Sequence, residues 1–175
     1  MPVQIGAQPD SGFDDPLGML RDCHRRIENF LRVLAHVAAT AGNGALSAPE
    51  QSAVESALQY FRSGGQRHTQ DEEESLFPRL PAAELQSVAD LEREHREADE
   101  LHAAVDRLFS LWLASGFLSA QDRQALRAAT SRLTELYAGH IQLEETVVFP
   151  RAAQILSRET IAAIGEEFRA RRSSS

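Results

Sequence analysis

The chain has 175 residues, 42% of them hydrophobic and 25% charged, with 26 acidic against 18 basic side chains for a formal net charge of −8. That is the balance of one ordinary globular domain, which at this length buries roughly 70% of its unfolded surface. The single cysteine, Cys23, excludes an internal disulfide framework and a multi-cysteine metal site, the acidic balance excludes a broad nucleic-acid face, and no apolar run reaches the ~20 residues of a membrane span.

A polar stretch over residues 1–14 is expected to be a flexible leader, without the basic-then-apolar pattern of a secretion signal, so the expected location is the cytoplasm. Asp15-Pro16 reads as an N-cap followed by proline at the first helical position. Leu17, Leu20, His24, Ile27, Leu31, Leu34 and Ala38 then recur at three and four, the period of one helix face, until Gly42-Asn43-Gly44 stops the run. Ser47-Ala48-Pro49-Glu50 has capping-box spacing and opens a second helix whose inner face carries Val54, Leu58, Phe61, Gly65, His68, Glu72 and Leu76. Gly64-Gly65 is its weak point, at about 1 kcal/mol per glycine relative to alanine, and predicts an irregularity or a break. After Pro78–Pro81 a third helix begins near Glu84, with Val88, Leu91, His95, Ala98, His102, Val105, Phe109 and Trp112 on its stripe. Ser119 to Asp122 caps a fourth, carrying Leu126, Ala129, Leu133, Leu136, His140, Glu144 and Val147 inward to Pro150 or somewhat beyond. A short helix over 158–168 covers one end, and 169–175 reads as a flexible tail. The predicted fold is all-α: an up-down-up-down antiparallel four-helix bundle over 15–168, with that short C-terminal helix.

The chain repeats itself. His68 to Arg79 matches His140 to Arg151, 72 residues on, in the histidine, the glutamine, the two central glutamates and the Phe-Pro-Arg ending. Helices one and three match more faintly at 71 residues, His24 with Glu28 and His95 with Asp99. Two similar hairpins follow, related by an approximate two-fold axis.

Residues four apart share a helix face, so His68 with Glu72, and His140 with Glu144, each offer one nitrogen and one carboxylate. His24 and His95 complete a set of four imidazoles and two carboxylates on apolar stripes. Buried glutamate is rare unless paired or ligated, and a metal satisfies all six at once. Any one of these histidines alone is most often a hydrogen-bonded core residue; the weight lies in one per helix with the carboxylate repeated. Nitrogen and oxygen donors suit iron, manganese or zinc. Six donors saturate a single octahedral ion, or two carboxylates bridge two ions.

Glu28 and Asp99, one turn beyond His24 and His95, are candidates to accept from the imidazoles or to add a ligand, with a surface role as the alternative. Glu73 and Glu145 point about 100° away from their neighbours and read as solvent-facing or as supports behind the site. Tyr137, three before His140, could donate to bound oxygen or peroxide, or simply pack. His102 lies two turns beyond His95, roughly 10 Å along the axis, too far for the same ion, but could line an access path or bond to a group behind the ligands. His36 reads as a surface residue and Cys23 as packing.

These residues resemble the hemerythrin-like proteins, in particular the bacterial His-His-Glu cation-binding domains, over about 17–156. The match is carried by His24, by His68-x-x-x-Glu72 before Phe77-Pro78, by His95, and by His140-x-x-x-Glu144 before Phe149-Pro150. The resemblance implies non-haem iron, usually two ions, interacting with dioxygen, peroxide or nitric oxide in sensing, redox or stress handling; a single iron, zinc or manganese are the alternatives. It also exposes a departure. Oxygen carriers of this family have a second histidine four residues along the third helix, and here that place is Asp99, which weakens the case for reversible oxygen storage. Two further readings stand beside this one: a peroxide-consuming or other oxidative enzyme, and a metal-stabilised sensory module with a protein partner that the sequence does not identify.

Overall fold

In the computed structural model, which describes residues 10–173, every regular element among the described residues is helical. Helix α1 (Pro16–Thr40) starts where predicted, with the Asp15 carboxylate accepting from Gly18 N–H at 2.9 Å. At Ser47 the Glu50 carboxylate accepts from both the N–H (2.8 Å) and the O–H (2.6 Å), closing the start of α2 (Ala48–Tyr60). The chain then passes through a π-helical turn (Phe61–Gly65), α3 (Gln66–Gln70), a second π turn (Asp71–Leu76) and a 3-10 turn (Phe77–Arg79). Gly65, at φ −64° and ψ −44°, keeps helical geometry, so the glycine pair coincides with a widening of the helix and not with a break.

Helix α4 (Leu85–Ser115) ends at Gly116, whose φ of 66° is the left-handed conformation that closes many helices. Helix α5 (Ala120–Leu143) begins with Ser119 Oγ accepting from Asp122 N–H at 3.0 Å. It runs into a third π turn (Glu144–Val148) and α6 (Phe149–Ile155). That turn overturns one expected face position. Val147 is 44% exposed, whereas Val148 is buried, because the wider turn advances the chain by about one residue before the inner face recurs.

Helix α1 packs between α2 and α5, and α4 closes the ring against both. Cross-helix bonds join Arg127 to the Ala38 carbonyl and His24 to Glu145, so α1 runs opposite to α5 and the π turn that continues it. The interior is not one continuous oil drop. Ile27, Leu34, Val54, Phe109, Trp112 and Leu126 belong to one apolar cluster, and Leu17, Leu20, Leu76, Leu91, Phe149 and Phe168 to another. On each rod the histidines fall between the two, as His24 does between Leu20 and Ile27. The polar residues form a layer across the core.

The C-terminal helix corrects the expected tail. Helix α7 (Arg158–Ser173) continues five residues past Phe168, tied by Arg171 and Arg172 to Asp71. The described end of the leader is also engaged. Ser11 N–H donates to Asp22 at 2.6 Å, and Phe13 packs on the second cluster with its carbonyl so close to Gly165 that a Cβ there would clash. Residues 1–9 of the expected leader and 174–175 of the expected tail lie outside the described residues. No helix among the described residues is long and apolar enough to cross a membrane.

Candidate metal centre

All six side chains singled out by their spacing converge in the polar layer, each 4% exposed or less. They form two overlapping quartets, His24, His68, Glu72 and Glu144 on one side and Glu72, His95, His140 and Glu144 on the other. Within each quartet, one potential donor atom from every residue lies within 4.8 Å of all the others. The carboxylates divide their oxygens between the two sides. Glu72 Oε1 lies 3.2 Å from His68 Nε2 while its Oε2 lies 3.2 Å from His95 Nε2. Glu144 Oε2 lies 3.0 Å from His24 Nε2 and its Oε1 3.4 Å from His140 Nε2. Glu144 opens a π turn and Glu72 is the second residue of another, a local widening of the helix often found at functional sites.

Behind three of the imidazoles stands another carboxylate. His24 Nδ1 meets Glu145 at 2.8 Å, His95 Nδ1 meets Glu73 at 2.8 Å, and His140 Nδ1 meets Glu94 at 2.9 Å. A carboxylate only accepts, so each Nδ1 carries the proton and donates, which leaves Nε2 facing the centre. The first two contacts are exchanged between the halves: the glutamate after Glu72 supports the histidine of the third helix, and the glutamate after Glu144 supports that of the first. Arg25 bonds the same Glu145 from the surface side, at 2.8 Å.

The electrostatics call for a cation. Both oxygens of Glu72 and of Glu144, His24 Nε2 and His68 Nδ1 are buried without a hydrogen-bond partner. His95 Nε2 and His140 Nε2 face each other at 3.1 Å, and with both Nδ1 atoms protonated two neutral rings would oppose lone pair to lone pair. Burial depresses the pKa of His24, yet the Glu144 and Glu72 carboxylates raise it to about 10. His95 likewise rises to about 9, burial being outweighed by Glu72 and Glu73. Burial also works against ionising Glu72, but His68, His24 and His95 hold its carboxyl well below the usual carboxylate range. Burial lowers His68, whose Nδ1 has no carboxylate behind it. Nitrogen and carboxylate donors around two orphaned, shared carboxylates fit a divalent or trivalent metal of borderline hardness.

The remaining candidates fall differently. Glu28 and Asp99 are exposed and reach no imidazole, which corrects the expectation that they support or extend the ligand set. Each stands one turn beyond its histidine at the solvent edge of its helix, where the neighbouring helices do not cover it. Asp99 stands instead on the wall of a cavity of about 580 Å³ that Gly65, His102 and Tyr137 also line. Tyr137 is buried with its hydroxyl 3.1 Å from His102 Nε2, so that group is committed to the ring and not directed at the quartets. Burial pushes the Tyr137 phenol up and holds His102 down at about 4, so both are neutral at pH 7. His36 is exposed and Cys23 is buried beside Arg26.

Sequence spacing missed Glu94. It immediately precedes His95, about 100° around the helix from the inner stripe, and only the placement of α5 against α4 brings it to His140.

Residues 15–152 match the family model described as the hemerythrin HHE cation-binding domain. A protein of Haemophilus influenzae described as uncharacterized is 26% identical over 160 residues, 91% of each chain.

Proposed function

The chain belongs to the hemerythrin HHE cation-binding family, and on that premise we propose that it holds a pair of non-haem iron ions and engages a small oxidant or diatomic molecule. Dioxygen, peroxide and nitric oxide are the ligand class. The observation that carries this reading is the sharing of Glu72 and Glu144 between two quartets, with one oxygen of each carboxylate toward either side. His24 and His68 would hold one ion, His95 and His140 the other, and the two glutamates both.

An iron pair would supply Lewis acidity and one-electron and two-electron redox chemistry. The chain's own residues do the rest. Glu145, Glu73 and Glu94 hold the Nδ1 protons of His24, His95 and His140, fixing each ring and raising the basicity of the nitrogen that faces the centre. Apolar clusters above and below exclude bulk water, so charges in the layer act on one another at lower effective dielectric. The cavity at His102 and Tyr137 would be the approach for a small molecule, since the Tyr137 ring on its wall lies 6.2 Å from that of His140.

Metal analysis of protein purified without added metal, with an absorption spectrum of the same sample, tests the reading. About two irons per chain, with near-ultraviolet bands that change on adding peroxide or nitric oxide, support it. Zinc alone, or iron that stays spectroscopically inert to all three ligands, overturns it.

A further inference from the structure

Asp71 is a fully buried carboxylate that the quartets do not use. It stands next to Glu72 at the head of the π turn Asp71–Leu76, and the end of α7 takes up both its oxygens. Arg171 Nε donates to Oδ1 at 2.9 Å and Arg172 Nη2 to Oδ2 at 2.7 Å. Arg171 also donates to Ser75 Oγ, farther along the same turn, and faces Glu74 at 3.4 Å. Arg172 is braced by the Phe168 carbonyl at 2.9 Å, and both guanidinium groups lie over the buried Phe168 ring. A separate anchor joins α7 to the next turn, where Arg79 pairs with Glu167 at 2.6 Å and donates to the Ser75 carbonyl.

The other half of the molecule is built otherwise. Seventy-two residues after Asp71 comes Leu143, a partly buried apolar residue packed on the second cluster, and its π turn runs directly into α6. The clamp belongs to the Glu72 side alone. A π turn is a rare and poorly self-supporting geometry, so external ties matter to its shape. A buried carboxylate that loses its partner is strongly destabilised and relaxes by turning out or admitting water. At Asp71 that relaxation would occur one peptide bond from the glutamate shared by both quartets.

We propose that Arg171 and Arg172 are positioning residues for the metal centre. By clamping Asp71 they set the π turn that aims Glu72 at both quartets, and the last turn of α7 thereby governs how firmly metal is held. This rests on the metal-centre reading above.

The test uses the full chain, loaded anaerobically with iron(II), and follows iron release into excess chelator. In parallel, amide exchange of residues 72–76 is measured on the metal-free protein. R171Q/R172Q is expected to release iron about tenfold faster, the usual effect of losing a supporting contact, and to speed exchange across the turn. R171K/R172K, which keeps the charges without the planar fork, should recover part of both. E167Q cuts the other anchor of α7 and leaves Asp71 paired; it should lower the melting temperature without changing iron release. Wild-type rates in R171Q/R172Q, or equal acceleration of iron release in E167Q, overturn the proposal by showing that α7 acts through general stability or not at all. Should R171Q/R172Q fail to fold, D71L/R171Q/R172Q copies the apolar arrangement at Leu143 without an unpaired buried charge, and faster iron release is again the supporting result. If the wild type takes up no iron, the reading of the centre fails, and exchange at 72–76 alone decides whether the clamp orders the turn.

Discussion

His68 and His140 occupy equivalent places in the two halves of the chain, yet only His140 has a carboxylate behind its imidazole. The partner of His140 is Glu94, the residue before His95; the residue before His24, 71 positions earlier, is Cys23. The same contrast recurs one layer out. Where the second half pairs His102 with Tyr137, the first has Leu31 and Gly65 at the corresponding positions, and the cavity opens beside that glycine. What faces the centre is therefore two-fold, with two imidazoles and two shared carboxylates on each side, and what supports it is not. Two sites with the same donors can hold metal with different strength, because a carboxylate behind an imidazole raises the basicity of its other nitrogen.

Removing a shared carboxylate should erase the distinction altogether. Glu72→Ala and Glu144→Ala each take one donor from both quartets, and metal content per chain is expected to fall to background in either variant. A full equivalent retained in one of them would mean that the quartets bind independently.

A finer change should make the halves alike. Glu94→Cys gives His140 the support that His68 has, and one of two metal equivalents should bind about tenfold more weakly in a competition titration with a chelator. An unchanged titration would show that the support is not what distinguishes the sides.

His102→Leu copies Leu31 and removes a titration that only the second half contains. Burial holds the folded-state pKa of His102 at about 4, against an ordinary value near 6.5. Below pH 6.5 the unfolded chain therefore takes up a proton that the folded chain refuses, so this group makes stability fall as pH drops from about 6.5 toward 4. Between pH 7 and 5.5 the metal-free wild type should lose about 1 kcal/mol more than His102→Leu in urea denaturation.

The smallest expected effects lie where the halves already agree. Ser47 and Ser119 stand 72 residues apart, each bonded to an acidic side chain three residues on. Ser47→Ala and Ser119→Ala should each cost roughly 1 kcal/mol of stability and leave metal content unchanged.

Much of this was legible in the chain. Ser47, Asp15 and Ser119 announced helix starts because a cap is a bond within three residues, set by local geometry. The inward stripes of α1 and α4 followed from the helical period, and His24, His68, Glu72, His95, His140 and Glu144 were singled out by recurring where apolar residues belong. Prediction failed where the period itself changes or where contact crosses between helices. An α-helical count carried through a π turn puts Val147 inward, where the structure buries Val148 instead. Spacing alone draws Glu28 and Asp99 toward the site, although each lies exposed at the edge of its stripe.

By itself, then, the sequence determined an all-α chain, its repeat, its family and the six polar residues directed into its core, since all of these depend on order and spacing along single helices. Only the tertiary structure decided that Glu73 and Glu145 cross between the halves, that Glu94 supports His140 while His68 has no such partner, and that α7 reaches Asp71. Those contacts join residues 22 to 121 positions apart. The rotation and height of one rod against its neighbours set them, and packing of the whole core fixes both.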